Sequence, residues 1–341
     1  MSKTIASVRG WWSTNIGNAL FQISAKGLLE ELGHKVFQVP DAPAYANVKK
    51  GNPANYFDFN DHLDIDYFCI HGPFFRKEFD KIYLESLSAL SKRGVKVIGL
   101  GVGCMHYDKG LTKYYRDWVE ACSIDLISTR DEQTYDFLKG SVKNLYNGVD
   151  LGFFISLYAP QPKFRENRTF VCMNFDQIPE PIFIADNNGN IEIEGQKFSY
   201  KKSYSGEPKG MLKKGFPYIR PYLKKFDRSK IAGKEILRTD HRFNPYSRKK
   251  IYTDANTFGM DTPDGYLMAY ANSHLTLSNR VHANVATLSY GNRAMYFSDS
   301  KRALLLDRMG ASDIYNSPLK LEEGQVLEEK NRLLDFMGQN I

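Results

Sequence analysis

The feature that most restricts the fold is an alternation through about residue 155 of short apolar or β-branched runs with longer amphipathic ones. Apolar residues recur at helical spacing in the long runs and fill the short ones, which is the pattern of βαβ units around a mostly parallel sheet. Ile5–Val8 predicts a first strand. The loop GWWSTNIGN leads from it into a helix carrying Leu20, Phe21, Ala25, Leu28, Leu29 and Leu32, stopped by Gly33. A strand at Val36–Val39 follows. DYFCIHG then reads as a buried strand, residues 77–93 as a helix closed by Gly94, and VKVIGLGVGC as a strand running into a glycine-rich turn. A helix over 112–121, the strand, turn and helix of DLISTRDEQTYDFLKG, and NLYNGVDLGFFI complete this half.

The polar segment APQPKFRENR, with two prolines, reads as a linker over 159–168. The chain therefore divides into 1–158, the linker, and a second α/β unit over 169–318 that begins with the strand RTFVCMNFD. Near the end of that unit the expected elements are a helix over 263–271, a strand at Leu275–Leu277 and a turn from Asn279 to His282. A helix over about 283–290, a strand at Ala294–Phe297 and a helix over about 301–309 follow. The amphipathic residues 319–341 predict a C-terminal helix packing across the junction. A length of 341 residues suits two cores, since domains usually run about 100 to 200 residues.

The net charge of +7 points to an anionic partner without choosing among nucleic acid, membrane surface, acidic glycan or phosphorylated substrate. The charge is concentrated. Residues 197–250 hold 17 Lys or Arg against 4 Asp or Glu, with Tyr200, Tyr204, Phe216, Tyr218, Tyr222 and Phe226 interleaved. This stretch is either a solvated face or a surface for an acidic glycan, a lipid-pyrophosphate-linked acceptor or the inner leaflet of a membrane. Cys69, Cys104, Cys122 and Cys172 are widely spaced beside apolar neighbours and never form C-x-x-C, so they read as reduced core thiols and no metal site is expected. No signal-type apolar stretch opens the chain and no run of about 18 apolar residues occurs, so a soluble cytoplasmic protein is expected.

The strongest chemical signal is SNRVHANVATLSYGN, where Arg280 and His282 sit between an apolar strand and a helix. In open α/β sheets that position faces the ligand crevice, and the helix N-terminus adds free N–H groups and partial positive charge. An isolated R-x-H is more readily an arginine paired with a carboxylate and a histidine at a helix cap, and it is the strand-turn-helix context here that brings the two readings level. Arg130, in ISTRDEQTYDFL, holds the same place after another strand, with Thr129 or Asp131 as the helix cap and Glu132 in the first turn. A cation there is disfavoured unless an anion is held beside it. The turn before the first helix offers Asn15, Gly17 and Asn18, amides suited to sugar hydroxyls around a glycine that admits close backbone approach. Neither that turn nor Gly99–Gly103 has the G-x-G-x-x-G spacing of a dinucleotide site.

Taken in order, NIGNALFQISAKGLLEELGH, DYFCIHG, VKVIGLGVG, ISTRDEQTYDFL, NGVDLGFF and LSNRVHANVATLSYGNRAMYFSDSKRALLLDRMG resemble the polysaccharide pyruvyl transferase family. The likeness thins between residues 159 and 250. It implies an α/β pair of Rossmann-like domains in a GT-B-like arrangement with an interdomain cleft, the acceptor on the N-terminal side and the donor on the C-terminal side. It also implies transfer of pyruvate from phosphoenolpyruvate to sugar hydroxyls as a ketal, with release of phosphate. On that reading phosphoenolpyruvate is a co-substrate, no cofactor is needed, and the acceptor is a sugar, an oligosaccharide or a lipid-linked glycan. The donor's carboxylate and phosphate call for more than one guanidinium, and Arg130 and Arg280 are the candidates, with Asn279 and Lys301 beside them. His282 suits the proton donor, because imidazole titrates near neutrality and a neighbouring anion favours its charged form. Asn15, Asn18, His71, Asp131 and Glu132 are the acceptor-side candidates, the last three being the options for general base. Asn18 stands where the family commonly has an acidic residue, and HGPFF where it has a glycine run.

Two rivals are a nucleotide-sugar-dependent glycosyltransferase of the same architecture and a non-catalytic nucleic-acid binder. The first needs a ribose-binding carboxylate after the strand at 294–297, for which Asp299 is the nearest candidate. The second leaves Arg280 and His282 unexplained and lacks any zinc-finger, RNA-recognition or helix-turn-helix pattern, so no nucleic acid is expected.

Overall fold

The computed structural model describes residues 1–9, 17–40, 62–77, 79–164, 170–175, 180–201, 229–241, 256–260, 262–298 and 303–341. The first half is one parallel sheet. Its strands are β1 (Thr4–Arg9), β2 (Lys35–Pro40), β3 (Tyr67–His71), β4 (Lys96–Val102), β5 (Ile124–Thr129) and β6 (Asn144–Asn147), in the order β2-β1-β3-β4-β5-β6. Helices α1 (Gly17–Glu31), α2 (Phe79–Lys92), α3 (Thr112–Ala121) and α4 (Glu132–Leu138) make the crossovers. β3 is a nearly continuous apolar run, and β5 is buried along almost its whole length, because both sheet faces are covered. After β6 a single 3₁₀ turn, Leu151–Phe154, runs into the short helix α5 (Ile155–Tyr158).

The second half is built on β7 (Phe170–Asn174), β12 (Lys234–Thr239), β14 (Ser273–Ser278) and β15 (Arg293–Tyr296), parallel and ordered β12-β7-β14-β15. It repeats the winding of β2-β1-β3-β4, so each half reverses direction between its first and third parallel strands. Helix α6 (Asp264–Asn272) precedes β14, and α7 (Val281–Ser289) follows it. The expected turn at 279–282 is shorter than its sequence suggests: the helix begins at Val281 and takes His282 into its first turn. The helix expected over 301–309 is one turn, α8 (Leu304–Asp307), with 301–302 outside the described residues.

Several strands escaped the alternation pattern. A second, antiparallel sheet orders β8 (Ile182–Ala185), β10 (Gln196–Lys201) and β9 (Ile191–Ile193), and β11 (Lys230–Ile231) and β13 (Thr257–Phe258) both pair with β12. Two connections are two-residue hairpin turns, Glu194–Gly195 and Ala232–Gly233, each with both residues at positive φ. Of the basic segment, 202–228 and 242–250 lie outside the described residues, with Tyr204, Phe216, Tyr218, Tyr222 and Phe226. Within the described part, Arg238 is 4% exposed and makes a two-pronged pair with Glu180 at 2.8 and 2.9 Å, so its charge is internal.

The halves share apolar cores. Leu151, Phe153 and Phe154 pack with Val285 and Leu288 of α7, while Leu20 of α1 clusters with Ala283 and Ala286. Residues 159–164 lie along α6, where the Phe164 amide donates to Asn272 and Lys163 to the Ala271 carbonyl. The last helix, α9 (Gln325–Asn340), returns to the first half. Leu319 bridges to Ala294 beside β15, yet Lys330 pairs with Glu31 at 2.6 Å and Phe336 stacks on Tyr146. All four cysteines are buried and free. Among the described residues no helix is long and apolar enough to cross a membrane, and no cluster of metal-binding side chains occurs.

Candidate functional site

In a doubly wound sheet, the crevice at the carboxyl ends of the two strands flanking the reversal is where ligands sit. In the second half those strands are β7 and β14. Asn174, fully buried at the end of β7, donates from its side-chain amide to the Thr239 carbonyl, accepts from Ser278 Oγ, and takes the Asn279 amide on its backbone carbonyl. Ser278 Oγ in turn accepts the Arg280 amide at 2.8 Å. These bonds fix the turn that presents Arg280, which is partly exposed at the N-terminal boundary of α7. That helix start has no side-chain cap and no acidic residue in its first turn, which leaves its amides and positive end available to an anion.

In the first half the reversal lies between β1 and β3, and Gly17, the first residue of α1, stands beside it. The two crevices meet there. A Cβ built on Gly17 would lie 2.7 Å from Nδ1 of His282, so the imidazole, only 8% exposed, rests against the bare glycine backbone. Phe21 of α1 packs edge-on to the His282 ring at 4.8 Å and also contacts His71 at the end of β3, at 6.1 Å between ring centres. Burial holds the His71 imidazole neutral, pushing its pKa down to about 4 against a hydrogen bond to Val8 and the charge of Asp150.

Beneath His282 lies a buried ionic cluster. Asp150, fully buried, caps the 3₁₀ turn by accepting the Gly152 amide on Oδ1 at 2.8 Å. Its Oδ2 lies 3.6 Å from Nε2 of His282 and 3.7 Å from Nη1 of Arg130. Burial opposes its charge, but His282, Arg130 and the Gly152 amide together hold the carboxyl below its ordinary value. Arg130 is 1% exposed, donates to the Cys104 carbonyl at 3.3 Å, and has Asp131 3.5 Å from its Nε. Burial works against its cation too, yet Tyr107, Asp150 and Asp131 raise its pKa overall. The guanidinium fits only because position 103 is glycine: a Cβ there would overlap Arg130.

The expectation that a cation at the start of α4 implies an external anion is therefore corrected. The anions offsetting Arg130 are the protein's own Asp131 and Asp150. Asp131 is fully buried and carries structural partners on both oxygens, the Thr134 amide at 2.7 Å and the Tyr107 hydroxyl at 2.8 Å. Glu132 is exposed and lines a separate depression with Asp136, Asp307 and Arg308. Thus His282, Arg280, Asn279, His71 and Asn18 stand at the two reversals, Arg130 and Asp131 lie beneath, and Glu132 is elsewhere. Asn15, Lys301 and Asp299 fall outside the described residues. Asp150 and Asn174 were not singled out from sequence. The signal for Asp150 was present in NGVDLGFF, an aspartate two residues before a glycine, as in a helix cap.

Comparisons with known proteins bear on the family and the fold. The family model of polysaccharide pyruvyl transferase matches residues 15–300. No curated protein matches the chain. Among solved structures, a putative UDP-N-acetylglucosamine 2-epimerase from Listeria monocytogenes aligns over 100% of this chain and 91% of its own, at TM-score 0.50 and 10% identity. A UDP-GlcNAc 2-epimerase from Methanocaldococcus jannaschii aligns over 97% and 93%, at TM-score 0.50 and 10% identity. The S. aureus MnaA–UDP co-structure aligns over 100% and 91%, at TM-score 0.50 and 12% identity. At such identities the likeness is one of fold, a two-domain Rossmann-like arrangement of the GT-B type. The family match, by contrast, runs through both sheets and takes in the turn that carries Arg280 and His282, and on it the chain belongs to the polysaccharide pyruvyl transferase family and is a transferase.

Proposed function

We propose that the chain moves the pyruvate unit of phosphoenolpyruvate onto two hydroxyls of a glycan as a ketal. The observation carrying this reading is the contact of His282, two residues after Arg280 at the reversal of the second sheet, with Gly17 at the reversal of the first. The partly exposed Arg280, the Asn279 turn and the open start of α7 suit the donor's two anionic groups. Asn18 and the neutral His71 suit sugar hydroxyls on the facing side.

Protonation of the donor's methylene carbon by His282 makes C2 electrophilic. One sugar hydroxyl adds to C2, the C2–O bond to phosphate breaks, and the second hydroxyl completes the ketal. The two hydroxyl protons balance the reaction: one restores His282 and the other leaves on hydrogen phosphate. Arg280 offsets charge at the carboxylate and on the departing phosphate. Arg130, already flanked by two carboxylates, supports the pocket from beneath.

The test is incubation with phosphoenolpyruvate and galactose-, mannose- and N-acetylmannosamine-type acceptors, reading phosphate release and the new methyl singlet by NMR. Turnover is expected with the native protein, and His282→Gln should lower it at least ~100-fold, the scale of a lost general acid, while retaining a cooperative thermal transition. Wild-type turnover in that variant removes His282 from the chemistry. Transfer from a UDP-sugar, with none from phosphoenolpyruvate, replaces the proposal with a glycosyltransferase.

A further inference from the structure

We propose that Asp150 is a positioning residue for the transfer step, holding Nε2 of His282 so that Nδ1 is the nitrogen that exchanges the proton. The inference rests on the reading of His282 as proton donor. Its basis is the geometry around one buried carboxylate. Oδ1 of Asp150 is committed to the Gly152 amide, while Oδ2 has no hydrogen-bond partner within ordinary reach and lies between two cationic groups, 3.6 Å from His282 Nε2 and 3.7 Å from Arg130 Nη1. Nε2 of His282 is likewise buried without a closer partner. A carboxylate facing one ring nitrogen selects the tautomer with the proton on that nitrogen and fixes the ring's orientation. Here that nitrogen is Nε2. Nδ1 is left against the side-chain-free surface of Gly17, next to Asn18 at the start of α1.

Charge balance supports the assignment. Asp131, Arg130 and Asp150 are essentially buried and together carry one uncompensated negative charge. The other titratable neighbours do not cancel it, since Tyr107 is held protonated by burial and His71 is held neutral. That net charge reaches His282 through Asp150 Oδ2, 3.6 Å from Nε2. Arg130 has a definite place in this arrangement: it keeps Asp150 ionised and turned toward α7. Since Asp150 and Arg130 belong to the first half and His282 to the second, the reactive imidazole is oriented from across the junction.

The test joins kinetics to a measurement that does not depend on activity. In Asp150→Asn, the amide oxygen still accepts from Gly152 while the charge is lost. The expected result is a fall in kcat of about 10- to 100-fold, the scale of a lost outer-shell partner, with KM for phosphoenolpyruvate changed less than about threefold. In parallel, ¹⁵N-histidine NMR of the full-length native protein, with the signal assigned by its loss in His282→Gln, should show neutral His282 protonated on Nε2. In Asp150→Asn that preference should weaken or reverse. A native ring protonated on Nδ1 overturns the proposal, as does unchanged kcat in Asp150→Asn where His282→Gln is inactive. The tautomer measurement needs only the native fold, so it decides the matter even if Asp150→Asn does not fold. An active His282→Gln variant sinks the proton-donor reading itself, whatever the tautomer.

Discussion

A methyl group at position 17 would have to share space with Nδ1, Cγ and Cβ of His282, all within 3.0 Å of where it would sit. The imidazole is also confined by Phe21, one turn further along α1, and by Asp150, so it must turn or withdraw. Gly17→Ala should therefore lower kcat by about 100-fold, since a misplacement of this size at a reacting group costs about that much, while phosphoenolpyruvate still raises the melting temperature. An active Gly17→Ala enzyme contradicts this close packing. At this scale the sequence singled out side chains that the fold brings to the two reversals, but not what holds them there. Arg280 and His282 stand out because they fall where a strand ends and a helix begins. Asp131 caps α4 through the Thr134 amide as its place in the sequence suggests, but Tyr107, which holds its other oxygen, and Asp150, which faces Arg130, are brought near only by the fold. Asp150 lies 20 residues from Arg130 and 132 from His282, a separation at which local sequence carries no sign of contact.

Among elements, α7 is tied to the first half by polar as well as apolar contacts. Ser289 Oγ, near its end, donates to the Phe153 carbonyl at 2.7 Å and lies 2.9 Å from Ser156 Oγ, while accepting the Ser156 amide at 3.1 Å. Ser289→Ala would leave these buried groups without their partner. A loss of about 1–3 kcal/mol is expected, read as a lower urea midpoint at unchanged m-value. The parallel strands and crossover helices were legible because periods of two and 3.6 residues are strong signals over 5 to 15 residues. β8, β9 and β10 were not, although Glu194–Gly195 between IEI and QKFSYK is a hairpin turn by composition. β8, IFIA, is too short for its period to show, and charged residues mask the alternation in β9 and β10. The helix expected over 301–309 was overextended for the opposite reason, since ALLL packs as a buried turn without needing a longer helix.

For the whole molecule, the shared cores predict that the two halves unfold together. Trp11, Trp12 and Trp118 all belong to the first half, so tryptophan fluorescence follows that half while far-UV circular dichroism follows both. Urea curves from the two probes should superimpose, and separated midpoints would show that the halves melt independently. The division into two α/β units was visible in the sequence, but the side chains that join them were not. Leu151, Phe153 and Phe154 read as the tail of one domain until α7 is seen packed over them.

That packing bears on how a donor and a bulky glycan reach the same imidazole. Swinging the lobes apart like jaws would wet Phe153 and Phe154, both wholly enclosed, at a cost of about 1.5–3 kcal/mol each before any other contact is lost. Entry and exit must instead proceed with the floor of the site held stationary.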